Sequence, residues 1–381
     1  MSNRIIKGIT MSFFQLLIVY VFANCSGQGY TVDVDNVELK ELNYNNPEIK
    51  IVPIKCSFPM DEPYRSKGYD DYIFILGMSW KTIYCVQNDT VVSVLDASGR
   101  GHGEYSYISN FAYSPQEHIL YVQGNGKLLR YSVPSMTFIN SVDMDITATG
   151  MEVLNPEELL MECSFYESEK EIYRGICIVS SQTGRVLHKC YDFDFMNTQM
   201  FMTHDMAGSN GGIIFSLNNL DRNSIIRYNI DENSIEELFS FSFNKKWKVS
   251  RRLVRLAKKD PLLFSREDSY TENQCRGCHY PYVDDSELVV WCFPMENDEV
   301  RSVAVIYKDG ELIRRSFKIP GIDIDPSPSF IQNGYCVDVI TSSDEVTITD
   351  PEKLSPLGKE LSRVINDQSY NNPVMLFFTV N

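Results

Sequence analysis

Three residues have the clearest chemical potential in this chain: Cys275, Cys278 and His279, in the order Cys-Arg-Gly-Cys-His. This spacing matches the attachment site of c-type haem, in which two thiols bond to the vinyl groups and the histidine ligates the iron. The same side chains could instead form a local disulfide or ligate zinc or another metal. A haem domain needs surrounding helices, whereas the residues after His279 predict a strand. We therefore expect no cofactor here, and either a disulfide between the two cysteines, a metal site or two unlinked thiols.

A second candidate is a glycine-rich stretch in which three glycines alternate with Arg100 and His102. It superficially resembles a dinucleotide-binding loop, but the third glycine comes one residue early. The residues that follow predict no helix whose N-terminus could hold a phosphate. We therefore predict a structural turn. Its members are Asp96, Gly99, Arg100, Gly101, Gly103 and Glu104.

Acidic pairs could also do chemistry, because residues two apart on a strand face the same side and could offer two oxygens to calcium. Charged loop edges explain these pairs equally well, and no Asp-x-Asp-x-Asp-Gly loop completes a site. The chain also lacks the linear motifs of serine hydrolases, zinc proteases and P-loop proteins, which disfavours an enzyme. The pairs are Asp143 with Asp145, Asp192 with Asp194, and Asp323 with Asp325.

Composition narrows the class of protein. The 381 residues carry a formal net charge of −16, which disfavours nucleic acid as a partner and suits a soluble, self-repelling monomer. The chain is rich in tyrosine and phenylalanine (22 and 21 residues), and helix-compatible patterns are few. These features predict an all-β fold.

Residues 1–24 have the pattern of an export signal, with basic residues before an apolar run that is too short to span a membrane comfortably. The run resembles a bacterial lipoprotein signal, in which the cysteine after the cleavage site, here Cys25, receives lipid. Asn24 departs from the small residue usual at that position. Cleavage after Ala23 would instead give a soluble periplasmic or secreted protein, and an uncleaved anchor is a third alternative. We predict lipidation at Cys25 and a place in the cell envelope, periplasmic or surface-facing.

Six similar turns recur along the rest of the chain, each after a strand that ends in Leu, Tyr, Val or Ile. The residues before and after each turn are typical of the third and outer strands of a propeller blade. The stretch of chain between one such hairpin and the next has room for the two inner strands of a blade. The repeat predicts a six-bladed β-propeller of four-stranded antiparallel blades over 49–381, after a polar tether at 25–48. The turns are Leu95 to Gly99, Tyr131 to Ser135, Val179 to Gly184, Tyr228 to Asn233, Tyr307 to Gly310, and Ile348 to Pro351.

Two segments interrupt this repeat and predict short inserted helices. Residues 245–259 are basic with partly helical apolar spacing, and we interpret them as a solvated face or a contact for anionic lipid or glycan. Residues 353–366 place Leu354, Leu357 and Leu361 on one face. The apolar end of the chain, 372–380, predicts a buried strand that joins the first and last blades.

The glycine motif and the final strand also carry a family resemblance. Leu95-Asp96, the segment Gly99 to Tyr105, the strands at Tyr121 and Tyr131, and the closing Asn-Pro-Val-Met-Leu are similar to the six-bladed, TolB-like propeller lipoproteins of Bacteroides and relatives. In that family the motif usually has proline where this chain has His102. The resemblance implies the fold and an envelope location, and implies hardly anything about activity.

We therefore predict an envelope-exposed, non-catalytic propeller that binds a protein, peptide or glycan through its loops and central channel. The alternative hypothesis is an envelope hydrolase or lactonase with a metal in the channel. Propeller enzymes collect their residues from several blades, so the lack of a linear motif does not exclude this alternative.

Overall fold

A computed structural model describes a six-bladed propeller, each blade a four-stranded antiparallel sheet. This confirms the predicted fold class. The described residues are 31–33, 39–43, 49–166, 172–192, 206–209, 212–218, 223–242, 255, 275–283, 287–296, 299–300, 302–308, 311–323, 326–340, 346–366 and 372–380.

The four strands of each blade follow one another from the innermost to the outermost position, except that the outermost strand of the last blade comes from the start of the described propeller. Blades 1 and 2 consist of Pro63–Gly68, Ile73–Gly77, Ile83–Gln87 and Thr90–Leu95, then Asn110–Ser114, Ile119–Gly124, Lys127–Ser132 and Thr137–Asp143. Blades 3 and 4 consist of Thr147–Asn155, Glu158–Tyr166, Ile172–Ser180 and Val186–Asp192, then Ala207–Ser209, Gly212–Asn218, Asn223–Asn229 and Ser234–Ser242. Blades 5 and 6 consist of Cys275–Val283, Glu287–Glu296, Val303–Lys308 and Glu311–Lys318, then Phe330–Gln332, Tyr335–Ile340, Val374–Phe378 and Lys50–Pro53.

Burial explains the sequence of the strands in blade 1. The second strand, Ile73–Gly77, is buried throughout, because both of its faces pack between neighbouring blades, and it is correspondingly apolar. The outer strand Thr90–Leu95 is mostly exposed or half-buried, and it carries polar residues among the β-branched ones. Asn88 and Asp89 join the third strand to the outer strand with positive φ angles of 48° and 66°, as a tight hairpin requires.

The ring closes by pairing the two ends of the described propeller. Val374–Phe378 lies between Tyr335–Ile340 and Lys50–Pro53, with Val374 opposite Pro53 and Leu376 opposite Ile51. The predicted role of the terminal strand is therefore confirmed. Lys50–Pro53 is thus the outermost strand of the last blade, and the chain continues from it to the inner strand of blade 1.

One predicted helix is confirmed at Pro356–Asn366. Ser355 caps it, since its hydroxyl accepts the Gly358 backbone N–H at 3.0 Å, and proline occupies the first helical position. Leu361 and Ile365 are buried in a cluster that also contains Trp291. Of the other predicted helix, 245–259, the structure describes only Arg255.

Two of the six predicted turns do not lie where the repeat placed them. Four do join the third and outer strands of blades 2 to 5. The turn that begins at Leu95 instead leaves the outer strand of blade 1 and leads to blade 2. The turn at Ile348 follows Thr347–Ile348, which pairs with Ile322–Asp323 outside the blades. Both turns follow strands that end in an apolar residue, and only the strand pairing shows which position each strand occupies.

Part of the predicted tether also lies along the propeller. Thr31–Asp33 pairs in parallel with the outer strand of blade 4, and Leu39–Asn43 pairs in parallel with the outer strand of blade 5. A further short strand, Glu299–Val300, forms a hairpin with the end of Glu287–Glu296. Thr31–Asp33 and Leu39–Asn43 therefore extend the outer edges of blades 4 and 5. The polar composition of the segment before residue 49 did not predict this role.

Candidate binding cavity on the propeller axis

The inner strands surround a cavity of about 580 Å³ on the axis of the propeller. Blade 1 contributes the whole of its inner strand, Pro63–Gly68, and the two residues after it. A strand of six residues is about 20 Å long. Each of the other blades contributes residues in or beside its inner strand. Representative members are Tyr113, Glu152, Gly208, Tyr280 and Gln332, from blades 2 to 6 in that order.

A buried ion pair lies in the wall of this cavity. The Lys67 Nζ atom is 2.5 Å from Glu152 Oε1, and it also donates to the Met151 carbonyl oxygen at 2.6 Å. The two side chains are only 9% and 10% exposed. The Phe111 ring lies beside the ammonium, with its centroid 5.7 Å from Nζ. Lys67 belongs to blade 1 and Glu152 to blade 3, so the pair connects two blades that are not neighbours.

Tyr69 extends this network to further blades. Its hydroxyl donates to Glu152 Oε2 at 3.2 Å and accepts the Tyr113 backbone N–H at 3.1 Å. The two tyrosine rings meet edge to face, with centroids 5.3 Å apart. The Gln332 side-chain amide donates to the Tyr69 carbonyl oxygen. Blades 1, 2, 3 and 6 are thus joined around one end of the cavity.

The protonation states in this network follow from burial. Burial raises the pKa of the Glu152 carboxyl, although the Lys67 cation and the Tyr69 hydroxyl offset part of this by stabilising the charged form. Burial also raises the pKa of Tyr69 well above its ordinary value, and the negative charge of Glu152 adds to the effect. Tyr69 therefore stays protonated and remains a hydrogen-bond donor.

An exposed aromatic pair lies at the other end of the blade 1 inner strand. Tyr64 and Trp80 have ring centroids 5.2 Å apart, and they are 41% and 44% exposed. The Arg65 guanidinium lies 5.6 Å from the centre of the Tyr64 ring. Tyr64 and Arg65 also line the cavity, so the aromatic pair is continuous with its wall. Exposed tryptophan, tyrosine and arginine side chains are typical of binding surfaces.

Trp80 is held in an unusual backbone conformation. Its φ angle is 60°, in the left-handed region that bulky side chains rarely adopt. Its N–H donates to the Gly77 carbonyl at 2.9 Å, and its own carbonyl accepts the Ile108 N–H at 2.7 Å. The Asp61 carboxylate accepts the Ser79 N–H at 2.8 Å, which secures the same loop. Strained residues fixed in this way are found preferentially at functional sites.

The glycine-rich stretch is bonded largely to itself. The Glu104 carboxylate accepts the Gly101 N–H at 2.6 Å, and a Cβ atom on Gly99 would overlap that carboxylate. Gly103 has a φ of 78°, and a Cβ atom there would lie 2.6 Å from the Phe138 ring. The Glu104 carboxylate thus already bonds to the backbone N–H group that an anionic ligand would need. At the start of the stretch, Asp96 accepts a hydrogen bond from the Ser98 hydroxyl at 3.0 Å, while Arg100 is exposed.

Of the Cys-Arg-Gly-Cys-His residues, the side chains of Cys278 and His279 are described, and they lie in different surroundings. The motif lies in the strand Cys275–Val283, whose pairing with the next strand shifts register between Cys275 and Cys278. Cys278 and His279 are adjacent on the strand and therefore point to opposite faces. Cys278 is buried against Cys292, and the His279 ring packs on Phe293 with centroids 5.2 Å apart. Cys278 and His279 therefore do not share a metal site, and the predicted local disulfide stays a prediction because the Cys275 side chain lies outside the described part of the chain.

Within the part of the chain that the structure describes, no three His, Cys, Asp or Glu side chains come together as a metal site. Of the acidic pairs, only Asp143 with Asp145 is described at both positions, since Asp194 and Asp325 lie outside the described residues.

Sequence reasoning missed Lys67, Tyr69 and Glu152. One signal was available: the polar strand Pro63–Gly68 directly precedes the fully apolar strand Ile73–Gly77. A polar strand at the start of a blade suits a position beside a central channel. No comparable signal marks Glu152, because the residues beside it in Thr147–Asn155 are ordinary for a strand.

The blades and the axial cavity define the class of this protein as a six-bladed β-propeller. The chain belongs to the DUF5128 family, described as a 6-bladed beta-propeller, whose family model matches residues 48–316. The match runs from the strand that closes the ring almost to the end of blade 5. It confirms the propeller part of the predicted resemblance at the level of this family.

Solved structures are similar to this chain at low sequence identity. A Bacteroides fragilis protein described as a "putative exported protein" has a TM-score of 0.64 and 12% identity, covering 89% of this chain and 99% of its own. A member of the DUF4221 family from Bacteroides vulgatus has a TM-score of 0.45 and 11% identity, covering 87% and 98%. No curated protein matches the chain in sequence. At 12% identity the Bacteroides fragilis structure shows the fold alone.

The predicted export signal and Cys25 lie outside the described residues. Among the helices of the described residues, none is long and apolar enough to cross a membrane.

Proposed function

We propose that this protein is an envelope propeller that binds a glycan in its axial cavity. The observation that carries the proposal is the continuity between the exposed Tyr64–Trp80 pair and the polar cavity wall. A saccharide presents apolar C–H faces, which suit aromatic rings, and hydroxyl groups, which suit a wall of charged, amide and hydroxyl side chains. The strained, firmly bonded Trp80 loop presents one of these rings without further ordering on binding.

The interior supports a polar, uncharged ligand. Lys67 and Glu152 largely neutralise one another, so the wall offers a donor and an acceptor without a net charge. Tyr69, protonated and anchored by the Tyr113 amide, lies beside them. The volume of about 580 Å³ is within the range of small-ligand cavities, which favours an oligosaccharide end or a short branch over a globular partner.

Calorimetric titration of purified protein tests the proposal, with a panel of neutral and acidic oligosaccharides and, in parallel, a panel of short peptides. We expect binding of a neutral oligosaccharide, and at least a tenfold loss of affinity in Trp80→Ala with an unchanged melting temperature. Ile139→Ala is the matched control, because Ile139 is equally exposed but lies on the outer strand of blade 2. Binding of peptides alone, or equal affinities in Trp80→Ala and the control, would contradict a glycan site here.

The same proposal places the protein in the envelope with a lipid anchor at Cys25, as the TolB-like lipoproteins would imply. Support comes from the signal-like residues 1–24 and from the exported structural neighbour. The net charge of −16 supports a monomer that does not bind nucleic acid.

A further inference from the structure

We propose that Cys278 and Cys292 form a disulfide bond when the chain folds in the presence of a disulfide oxidant. The two residues lie directly opposite one another on neighbouring antiparallel strands of blade 5. Their Sγ atoms are 3.1 Å apart. A disulfide bond is about 2.05 Å long, so the sulfurs need to approach by only about 1 Å.

The backbone geometry suits the bond. Directly opposite residues of an antiparallel pair have Cα atoms about 4.5 or 5.5 Å apart, and both values lie within the disulfide range of about 4.4–6.8 Å. The linkage therefore needs no rearrangement of the sheet. Among the described cysteines, Cys163 and Cys177 also lie on neighbouring strands, but Cys163 is opposite Gly175, so that pair is diagonal.

The surroundings determine when the bond forms. Both thiols are completely buried, in a cluster with Ile214 and Val290. A buried thiol is a poor nucleophile because burial disfavours the thiolate, so oxidation precedes or accompanies the packing of blade 5. Once formed, the bond is shielded from reductants by the same packing.

The chemistry is thiol–disulfide exchange. One thiolate attacks a sulfur of the oxidant, which is a low-molecular-weight disulfide or an oxidised thiol oxidoreductase, and releases one oxidant thiolate. The second cysteine thiolate then attacks the mixed disulfide and releases the other. Two protons and two electrons leave the cysteine pair, and the oxidant is reduced to two thiols. An export compartment supplies such oxidants.

The bond would reinforce the wall of the cavity. Cys278 is on the inner strand of blade 5, two residues before Tyr280, which lines the cavity. The linkage fixes this strand to Glu287–Glu296 behind it. It closes a short loop, which restricts the unfolded chain and stabilises the folded one.

Refolding of the full chain from denaturant tests the proposal, in a buffer of reduced and oxidised glutathione. Remaining thiols are then blocked with N-ethylmaleimide under denaturing conditions, and non-reduced peptides are analysed by mass spectrometry. We expect a Cys278 peptide linked to a Cys292 peptide, and blocked thiols at Cys85 and Cys336. We also expect a melting temperature about 5 °C higher than in the reduced protein. Blocked thiols at both Cys278 and Cys292, or a bond from Cys278 to Cys275, would overturn the proposal.

Two variants separate the outcomes. Cys275→Ser should retain the linked peptides, whereas Cys292→Ser should leave Cys278 blocked by N-ethylmaleimide. The mapping on the unaltered chain decides the question even if Cys292→Ser fails to fold. Because the oxidant is added in vitro, the result does not depend on the proposed envelope location or on glycan binding.

Discussion

Lys67 and Glu152 are 85 positions apart in the chain, yet their charged atoms are 2.5 Å apart inside the propeller. The pair links blades 1 and 3 on the inner face of the ring, and Tyr69 joins it to blade 2 through the Tyr113 amide. These buried contacts thus join blades 1, 2 and 3 in the wall of the axial cavity.

Replacing Lys67 by methionine should therefore be costly. The substitution keeps the length of the side chain but leaves the Glu152 carboxylate buried without its cation, and such a loss typically costs about 3–5 kcal/mol. Denaturant unfolding measures the change in the free energy of unfolding. Lys55→Met removes an exposed ion pair with Asp89 and should cost less than about 1 kcal/mol. Equal effects of the two substitutions would show that the buried pair has no special role.

Replacing Gly103 by alanine should destabilise the fold. Its φ of 78° is strained for alanine, and the new Cβ atom would lie 2.6 Å from the Phe138 ring. We expect a loss of about 1–3 kcal/mol in the free energy of unfolding. Gly208→Ala is the matched control, since a Cβ atom there meets nothing within 4 Å. A Gly103→Ala protein as stable as this control would contradict the structural role of the glycine loop.

The protein should unfold in alkali between about pH 10 and pH 12. Burial raises the pKa of Tyr105, Tyr113 and Tyr121 to about 12 in each case, whereas an unfolded tyrosine ionises near pH 10. Their stabilising contribution is therefore complete below pH 10 and is lost as the pH rises through 12. Absorbance at 295 nm and circular dichroism, recorded in one titration, should show tyrosine ionisation and unfolding together. Complete ionisation near pH 10 with an unchanged dichroism spectrum would contradict this burial.

Replacing Cys25 by alanine should release the protein from the membrane fraction of cells that process bacterial lipoproteins. The reason is that a lipid anchor at this residue requires its thiol. Fractionation and immunoblotting measure the distribution. Cys56→Ala is the control, because Cys56 is a free cysteine within the propeller, and it should leave the membrane fraction unchanged. Membrane association that persists in Cys25→Ala would refute lipidation at this position.

Local pattern determined much of this protein. Repeated turns and apolar strands predicted six four-stranded blades, and helical spacing predicted Pro356–Asn366, because these features depend on residues close together in sequence. The apolar terminal strand predicted the closure of the ring because it had to be buried. Local pattern failed for the turn after Leu95, since a third strand and an outer strand have similar compositions and differ only in their partners.

Tertiary structure alone decided the contacts between distant segments. The Cys278–Cys292 pair depends on the register of two strands, and the sequence had instead suggested the nearer Cys275. The Lys67–Glu152 ion pair depends on how the chain returns to the propeller axis. The Tyr64–Trp80 aromatic pair depends on how the chain returns to one end of the ring. A propeller places its inner strands together by closing a circle, so the residues that line its channel carry no common spacing in the sequence.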